Sequence, residues 1–537
     1  MPASKTKLTW ISISLAAAGL IAISVLLAFS STRFESLQGW ASFLGVSLLA
    51  AMLLLGGWWS VRGEAPPAWV FYLLVGAALL RLGVGLFWYL ALPARGYDSP
   101  PEQAGYVMAD AHERDQAAWE LAASGKPLLS AFQGAYHRAD QYGGFLYLSA
   151  AVYRYMGGQV HQPLLIVVLT AAFSSLVVLF TWGLAHRLWG ERPAHLAAWG
   201  IALYPEALLL GSSQMREAFL MTLVMVAFWG ALRAAHSRAL QELGWVLAAL
   251  LLCLPLSPPV TGLLLALLLI QALFMFDRRF LRKFISQPRN LLLLVLLAIL
   301  ILAATWLTLR QLAPEVGTNP LALLQWWFKK TADWQAHLSK RASGWIQKIF
   351  RSTPDWMDMP LLLGYGVVQP FLPAALGDIS GAFLWRSIAI WRALGWTLLL
   401  PLLLYAPLRA WRENADRWHP ARGLSLVVWL VILLASFRSG GDMWDNPRYR
   451  VIFVGLQVAL AAWAWSAPRR APDPWLRRVL VGLGLVLVWF MPWYLRRYTP
   501  LQWPVVDLFK TLGLGLASAI LYWLWDWVGE WAKRGQA

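Results

Sequence analysis

A single cysteine in 537 residues, Cys253, lies inside an apolar run without a partner, which excludes a disulfide scaffold and leaves the redox compartment unset. Charge is also scarce. Only 13% of residues are Asp, Glu, Lys or Arg, about half of the roughly 25% usual in a water-soluble domain, so no soluble globule can form from this chain. Acids are the scarcer sign, 27 against 45 bases, and the formal charge is +18. The sequence has no internal repeat, low-complexity tract or polar stretch long enough for a separate catalytic domain. What it has in quantity is apolar surface: 59% hydrophobic residues, a mean hydropathy of +0.55 and 35 Trp. Indole favours the headgroup level of a bilayer, where its ring is half in lipid and its N–H is wet. The chain therefore reads as an all-α polytopic membrane protein. Its positive charge is accounted for by loops facing anionic lipid, with no nucleic-acid partner.

A membrane crossing takes roughly 20 apolar residues. Candidate spans are 9–30, 39–61, 68–93, 160–185, 194–212, 217–236, 242–256, 258–276, 290–309, 385–408, 423–437, 450–468, 479–495 and 503–531, a bundle of about 12–14 transmembrane helices. No small-residue cleavage site follows the first run, so it is expected to stay as an anchor. The stretch 361–384, broken by Pro370, Pro373 and several glycines, is expected to be a re-entrant or interfacial pair. Counting Lys and Arg in alternate loops gives 22 on the side of the N-terminus and 7 in the short loops opposite. The positive-inside rule then puts the N-terminus in the cytoplasm. The expected organisation is N-terminal helices over 1–67, a catalytic region over 68–460 with outer loops 94–142 and 310–360, and C-terminal helices over 461–537. A Pro- and Arg-rich composition of bacterial style points to the plasma membrane.

Under this topology three polar clusters emerge on the outer face. The first lies in loop 94–142: Asp110, His112, Glu113, Arg114 and Asp115, then Trp119 and Ala122. If 109–123 is helical, Asp115, Trp119 and Ala122 share one stripe, an apolar face headed by a carboxylate. A solvated loop with ordinary surface acids is the plainer reading. Asp140 closes the same loop, as a site residue or a packing residue. The second cluster is Tyr204-Pro205-Glu206 with Arg216-Glu217 at the mouth of the next helix. Carboxylates at membrane depth cost about 2.5–3.5 kcal/mol on the lenient insertion scale, so they normally face a polar cavity; against that, Glu217 is placed to favour a helix N-terminus and Glu206 to bond loop backbone or Arg216. The third cluster is Arg438, Asp442, Asp445, Arg448, Tyr449 and Arg450. Arginine carries the planar fork of donors that suits a phosphate, and its place on the outer side runs against the charge bias. Headgroup contact is the alternative.

In this order the clusters resemble the GT-C class of integral-membrane glycosyltransferases, especially protein O-mannosyltransferases and lipid A aminoarabinose transferases. The resemblance covers roughly residues 68–460. It is carried by Asp115 with Trp119 and Ala122, by Tyr147-Leu148-Ser149-Ala150 before Tyr153, and by Arg187-Leu188-Trp189-Gly190. Leu203-Tyr204-Pro205-Glu206, Arg216-Glu217 and Arg448-Tyr449-Arg450 complete it. The chain differs from the class in two additional hydrophobic segments at its start. It also has spaced Asp110, Glu113 and Asp115 where an adjacent Asp-Glu pair is common.

The resemblance implies transfer of a sugar from a polyprenyl-phosphate donor to an extracytoplasmic lipid, glycan or protein acceptor by inverting displacement. Asp115 is then the expected base, with Asp110 second. Arg448, Arg450 and Arg216 are expected to hold the phosphate, and Glu217 to position the acceptor or an arginine. Glu113, Asp140, Glu206 and Tyr449 are further candidates. No cofactor is required; a divalent metal is compatible, since some relatives use one, but no His/Cys cluster has ligand spacing. The segment with Trp326, Trp327, Lys329, Lys330, Trp334, Trp345 and Lys348 reads as an amphipathic anchor or a cover for the lipid groove.

Two other functions compete. An O-antigen-type polymerase or ligase would lean on Arg and His, with less need of an acidic first loop. A lipid-linked-sugar transporter predicts pseudo-symmetry and charges near the bilayer midplane. Here ionisable groups cluster at one face, with Arg81, Arg154, Arg386, Arg392 and Lys510 scattered elsewhere, and no repeat is detectable.

Overall fold

The computed structural model describes residues 10–237, 240–275, 286–327, 329–330, 353–377, 381–412, 419–439, 445–466, 473–496, 503–505 and 507–535. Among them there is helix, turn and irregular chain but no strand. Apolar runs in lipid must satisfy every backbone N–H and C=O internally, and the helix does this within one segment. The protein is an all-α polytopic membrane protein.

The first three long helices are α1 (Trp10–Ser31), α2 (Trp40–Val61) and α3 (Ala68–Arg95). Helix α4 (Ala109–Ala123) and α5 (Gly144–Met156) follow in the first long loop, before α6 (Leu164–Trp189). The expected helix over 109–123 forms over those residues. Next come α7 (Glu191–Leu203), α8 (Pro205–Gly211), α9 (Arg216–Ser237), α10 (Leu243–Leu256), α11 (Pro258–Met275) and α12 (Pro288–Leu312). The second half holds α13 (Asp358–Val368), α14 (Leu372–Gly377), α15 (Phe383–Arg412), α16 (Pro420–Ser439), α17 (Asp445–Val451), α18 (Val454–Ser466), α19 (Pro474–Leu495) and α20 (Leu508–Gly535).

Among the described residues ten helices are long and apolar enough to cross a membrane, against the fourteen segments counted along the whole sequence. The segment 194–212 is broken: Pro205 has no N–H and pushes Tyr204 out of the helical region, to φ −65° and ψ 124°. Helices α7 and α8 therefore have 13 and 7 residues. The segments near 242–256 and 450–468 form helices of 14 and 13 residues, too short to cross alone. The stretch 361–384 contains α13 and α14, of 11 and 6 residues, then the start of α15. In the expected anchor, Trp326, Trp327, Lys329 and Lys330 are helical, and Lys330 lies over the Trp326 ring. Trp334, Trp345 and Lys348 lie outside the described residues, as does Asp442.

Helices α6 and α9 are almost wholly enclosed, while α1, α2, α19 and α20 present most of their surface outward. One continuous cluster of buried apolar residues runs from Leu27 to Val479. Contacts sort the loops to opposite ends. At one end, Gln162 donates to Gln38 O, Gln214 to Pro163 O and Arg33 to Gln103 O. At the other, Arg187 pairs with Glu64 and Arg233 with Glu242. The candidate site residues lie at the first end.

Candidate active site

Helix α4 lies against this first end and divides it. Asp110 and Asp115 are five residues apart, which turns their side chains about 140° from each other. Arg114 falls one turn after Asp110 and shares its side.

On that side, six charged groups from distant parts of the chain form a network. Arg448 Nη1 is 2.9 Å from Asp110 Oδ2, and its Nε is 3.3 Å from Glu217 Oε1. Arg216 lies 3.9 Å from Glu217 and 3.6 Å from Asp140; Arg114 lies 3.9 Å from Asp140 and donates to Gln214 O at 3.4 Å. Three guanidinium groups thus balance three carboxylates. Glu217 is buried, and its second oxygen, Oε2, has no hydrogen-bond partner among the described residues. Asp110 keeps 52% of its side chain exposed, against 15% for Arg448. Burial pushes the Asp110 carboxyl upward, but Arg448, helped by Arg114 and Arg216, outweighs it and holds the group below the usual carboxylate range.

Aromatic rings floor the network. Arg216 lies over Tyr142 at 4.7 Å, and Tyr449 is 5.7 Å from both Arg438 and Arg448. Burial raises the Tyr142 hydroxyl and Arg216 offsets only part of it, so Tyr142 stays protonated. Asp140 also has a local task, accepting the backbone N–H groups of Phe145 and Leu146 at 3.1 and 3.0 Å at the start of α5. The turn into α5 needs Gly143: its φ is +78°, and a Cβ there would lie 2.5 Å from Ala131 O.

Asp115 faces the other side of α4 and is sealed. Its Oδ1 accepts from Tyr153 at 2.6 Å; its Oδ2 accepts from Tyr106 at 2.7 Å and meets His161 Nε2 at 2.8 Å. Burial first, and then the Asp115 charge, push both tyrosine hydroxyls well above their ordinary value, so they remain donors. The His161 ring stacks on Trp119, 5.4 Å between centroids, and keeps 28% of its side chain exposed. Beside Tyr106 a small cavity of about 20 Å³, room for one water, is lined by residues including Trp88, Ala111, Pro163 and Gln214.

The expected trio of Asp115, Glu217 and Arg448 is therefore rearranged, with Asp110 beside Arg448 and Asp115 around the helix. Arg216, Asp140 and Tyr449 join the Arg448 network. Arg450 does not. It is buried, lies 3.3 Å from the centroid of the Trp396 ring and donates to Gln369 O at 3.0 Å. Glu206 is its neighbour in this separate pocket and binds Arg392 at 2.9 Å. Glu113 is exposed and makes no ion pair among the described residues. The residue pattern did not single out His161, and it left Arg392, the Glu206 partner, among the scattered charges. His161-Gln162-Pro163 does stand before an apolar helix at the same end as loop 94–142, a signal available without coordinates. Among the described residues no group of three or more His, Cys, Asp or Glu is arranged to hold a metal ion.

No protein-family model and no curated protein matches the chain. Among solved structures it is similar to an oligosaccharyltransferase of Archaeoglobus fulgidus tethered by a disulfide to an acceptor peptide containing the NVT sequon. The identity is 15%, over 86% of this chain and 54% of that one, with a TM-score of 0.38. A second similar structure is the archaeal oligosaccharyltransferase AglB from Archaeoglobus fulgidus with an inhibitory peptide and a dolichol-phosphate, 15% identical over 84% and 56% of the two chains, TM-score 0.37. The chain spans about half the length of the structures it matches.

Proposed function

We propose that the chain is a membrane glycosyltransferase that moves a sugar from a polyprenyl-phosphate donor to an extracytoplasmic lipid, glycan or protein acceptor by inverting displacement. The observation that carries this reading is Arg448, held between Asp110 and Glu217 at the end of a helix bundle. A guanidinium at a partly open site, with a half-exposed carboxylate as one partner, is ready to exchange that partner for a phosphate. Arg216 adds a second positive charge beside it. When the sugar–phosphate bond breaks, its electron pair goes to the phosphate oxygen, and the guanidinium groups stabilise the growing charge. The leaving phosphate is already a stable anion, so no general acid is needed.

Glu217 fixes Arg448 through Oε1 and offers the unpartnered Oε2 to a substrate hydroxyl. Asp110 holds Arg448 until the phosphate arrives. The acceptor proton is assigned to the Asp115 side of helix α4, the position where the sequence resemblance expects the base. Arg450, in its separate pocket, is assigned to packing rather than to the donor.

The test is incubation of the purified protein with synthetic polyprenyl-phosphate sugars, reading release of polyprenyl phosphate. Wild type is expected to turn over at least one donor, and Arg448→Leu to lose about 10²–10³-fold in kcat. Wild type inert with every donor, or Arg448→Leu as active as wild type, contradicts the reading.

A further inference from the structure

We propose that His161, oriented by Asp115, accepts the proton of the acceptor hydroxyl; the inference rests on the transferase reading and assigns its base. Three observations carry it.

The first is that Asp115 cannot reach a substrate. It is 2% exposed, and its two oxygens already take Tyr153, Tyr106 and His161. Displacing any of them strands a buried hydroxyl or ring nitrogen. The member of this cluster with an open edge is His161. Its Nε2 is committed to Asp115, its ring is held by Trp119 on one face and edge-on by Tyr153 at 5.3 Å, and Nδ1 makes no hydrogen bond among the described residues. An Nε2–H donated to a carboxylate leaves Nδ1 with the lone pair, the tautomer a base requires. The charged and titratable groups around the ring are Asp115 from α4, Tyr153 from α5 and Tyr106 from the loop, with Tyr89 of α3 coupled to both tyrosines.

The second observation concerns direction. In an inverting displacement the hydroxyl attacks from the face opposite the leaving group. Asp110 and Glu217 both touch Arg448, so both stand on the phosphate side. A hydroxyl 3–3.5 Å from the anomeric carbon, with hydrogen bonds of about 2.8 Å at each end, separates base and guanidinium by on the order of 10 Å. Asp110 and Asp115 are separated by about 7.5 Å of rise along α4, and their side chains point apart.

The third is physical continuity. Arg114 donates to Gln214 O, Gln214 donates to Pro163 O, and Pro163 lies two residues beyond His161. The two compartments thus share one wall.

The step balances. The acceptor O–H gives its proton to Nδ1 as its oxygen bonds to the anomeric carbon; the bond from that carbon to the phosphate oxygen breaks, and its electron pair leaves with the phosphate. Asp115 stabilises the imidazolium, which returns its proton to water at the exposed edge. His161 is the catalytic residue and Asp115 a positioning residue.

The test uses His161→Gln, His161→Ala and Asp115→Asn in the full-length protein, each checked for folding by thermal unfolding in detergent, with a polyprenyl-phosphate sugar that wild type cleaves. His161→Gln is expected to lose about 10²–10⁴-fold in kcat, with the donor KM changed less than about threefold and the acid limb of the pH profile gone. Added imidazole is expected to restore part of the His161→Ala activity, which a packing role cannot produce. Full activity and an unchanged pH profile in His161→Gln overturn the base role while leaving the transferase reading intact. Carbethoxylation by diethyl pyrocarbonate, read by mass spectrometry, is independent of turnover. No modification of His161 in wild type overturns the inference, because its nitrogen is then closed to a substrate. A reactive His161 in a protein that cleaves no donor overturns both readings together.

Discussion

Helix α4 carries two aspartates five residues apart whose surroundings are opposites. Asp110 is half exposed and faces three arginines, one of them in direct contact. Asp115 is enclosed by two hydroxyls and an imidazole, with no arginine or lysine paired to it among the described residues. In the proposed reaction the first environment receives an anion from outside, with half-exposed Asp110 giving way to a phosphate at Arg448. The second fixes an imidazole against a buried carboxylate, the place where the proposed reaction delivers its proton. A displacement that makes a phosphate anion at one end and frees a proton at the other requires both environments.

Stability measurements break this comparison most directly. Asp140→Leu removes the only carboxylate paired with buried Arg114 among the described residues and also uncaps α5. It is expected to cost about 3–5 kcal/mol in thermal or denaturant unfolding, because an uncompensated charge stays buried. Asp115→Asn keeps one carbonyl acceptor for the tyrosines but presents N–H groups to the others, and about 1–3 kcal/mol is expected. Asp110→Asn removes only a half-exposed ion pair and is expected to stay within about 1 kcal/mol. A larger loss from Asp110→Asn than from Asp115→Asn would reverse the assignment of the two sides.

The Asp110 contribution also has a pH signature. Its carboxyl is held below the ordinary range in the folded protein, so the stabilisation is fully present above an unfolded value of about 4 and disappears as pH falls through the lower folded value. The difference in stability between wild type and Asp110→Asn should be flat from about pH 5 upward and shrink below about pH 4. A difference that grows on acidification contradicts the Arg448 pairing.

Much of this arrangement is readable from residue order alone. Apolar runs bounded the long helices to within a few residues, and the 3.6-residue period placed the α4 helix with Asp115, Trp119 and Ala122 along one stripe. Helix count was less legible. Hydropathy over a window does not register that Pro205 breaks 194–212 or that the helix in 450–468 begins only at Val454. Which aspartate meets Arg448 was not legible either. Periodicity says that two side chains point apart, but the choice depends on what packs against each face, and the partners are 338 residues away for Asp110 and 46 for the Asp115–His161 pair. Arg448 and Arg450, two residues apart, read as one phosphate clamp; the short helix α17 turns them to different pockets, and a Trp396 ring takes the second.

Binding of polyprenyl phosphate, followed by native mass spectrometry on wild type, Arg448→Leu and Arg450→Leu, tests the central claim without requiring the acceptor. Arg448→Leu is expected to weaken binding by about 10- to 100-fold, the loss of a charge-assisted hydrogen bond, and Arg450→Leu by less than about threefold. Equal binding by wild type and Arg448→Leu, or a larger loss in Arg450→Leu, would contradict the account.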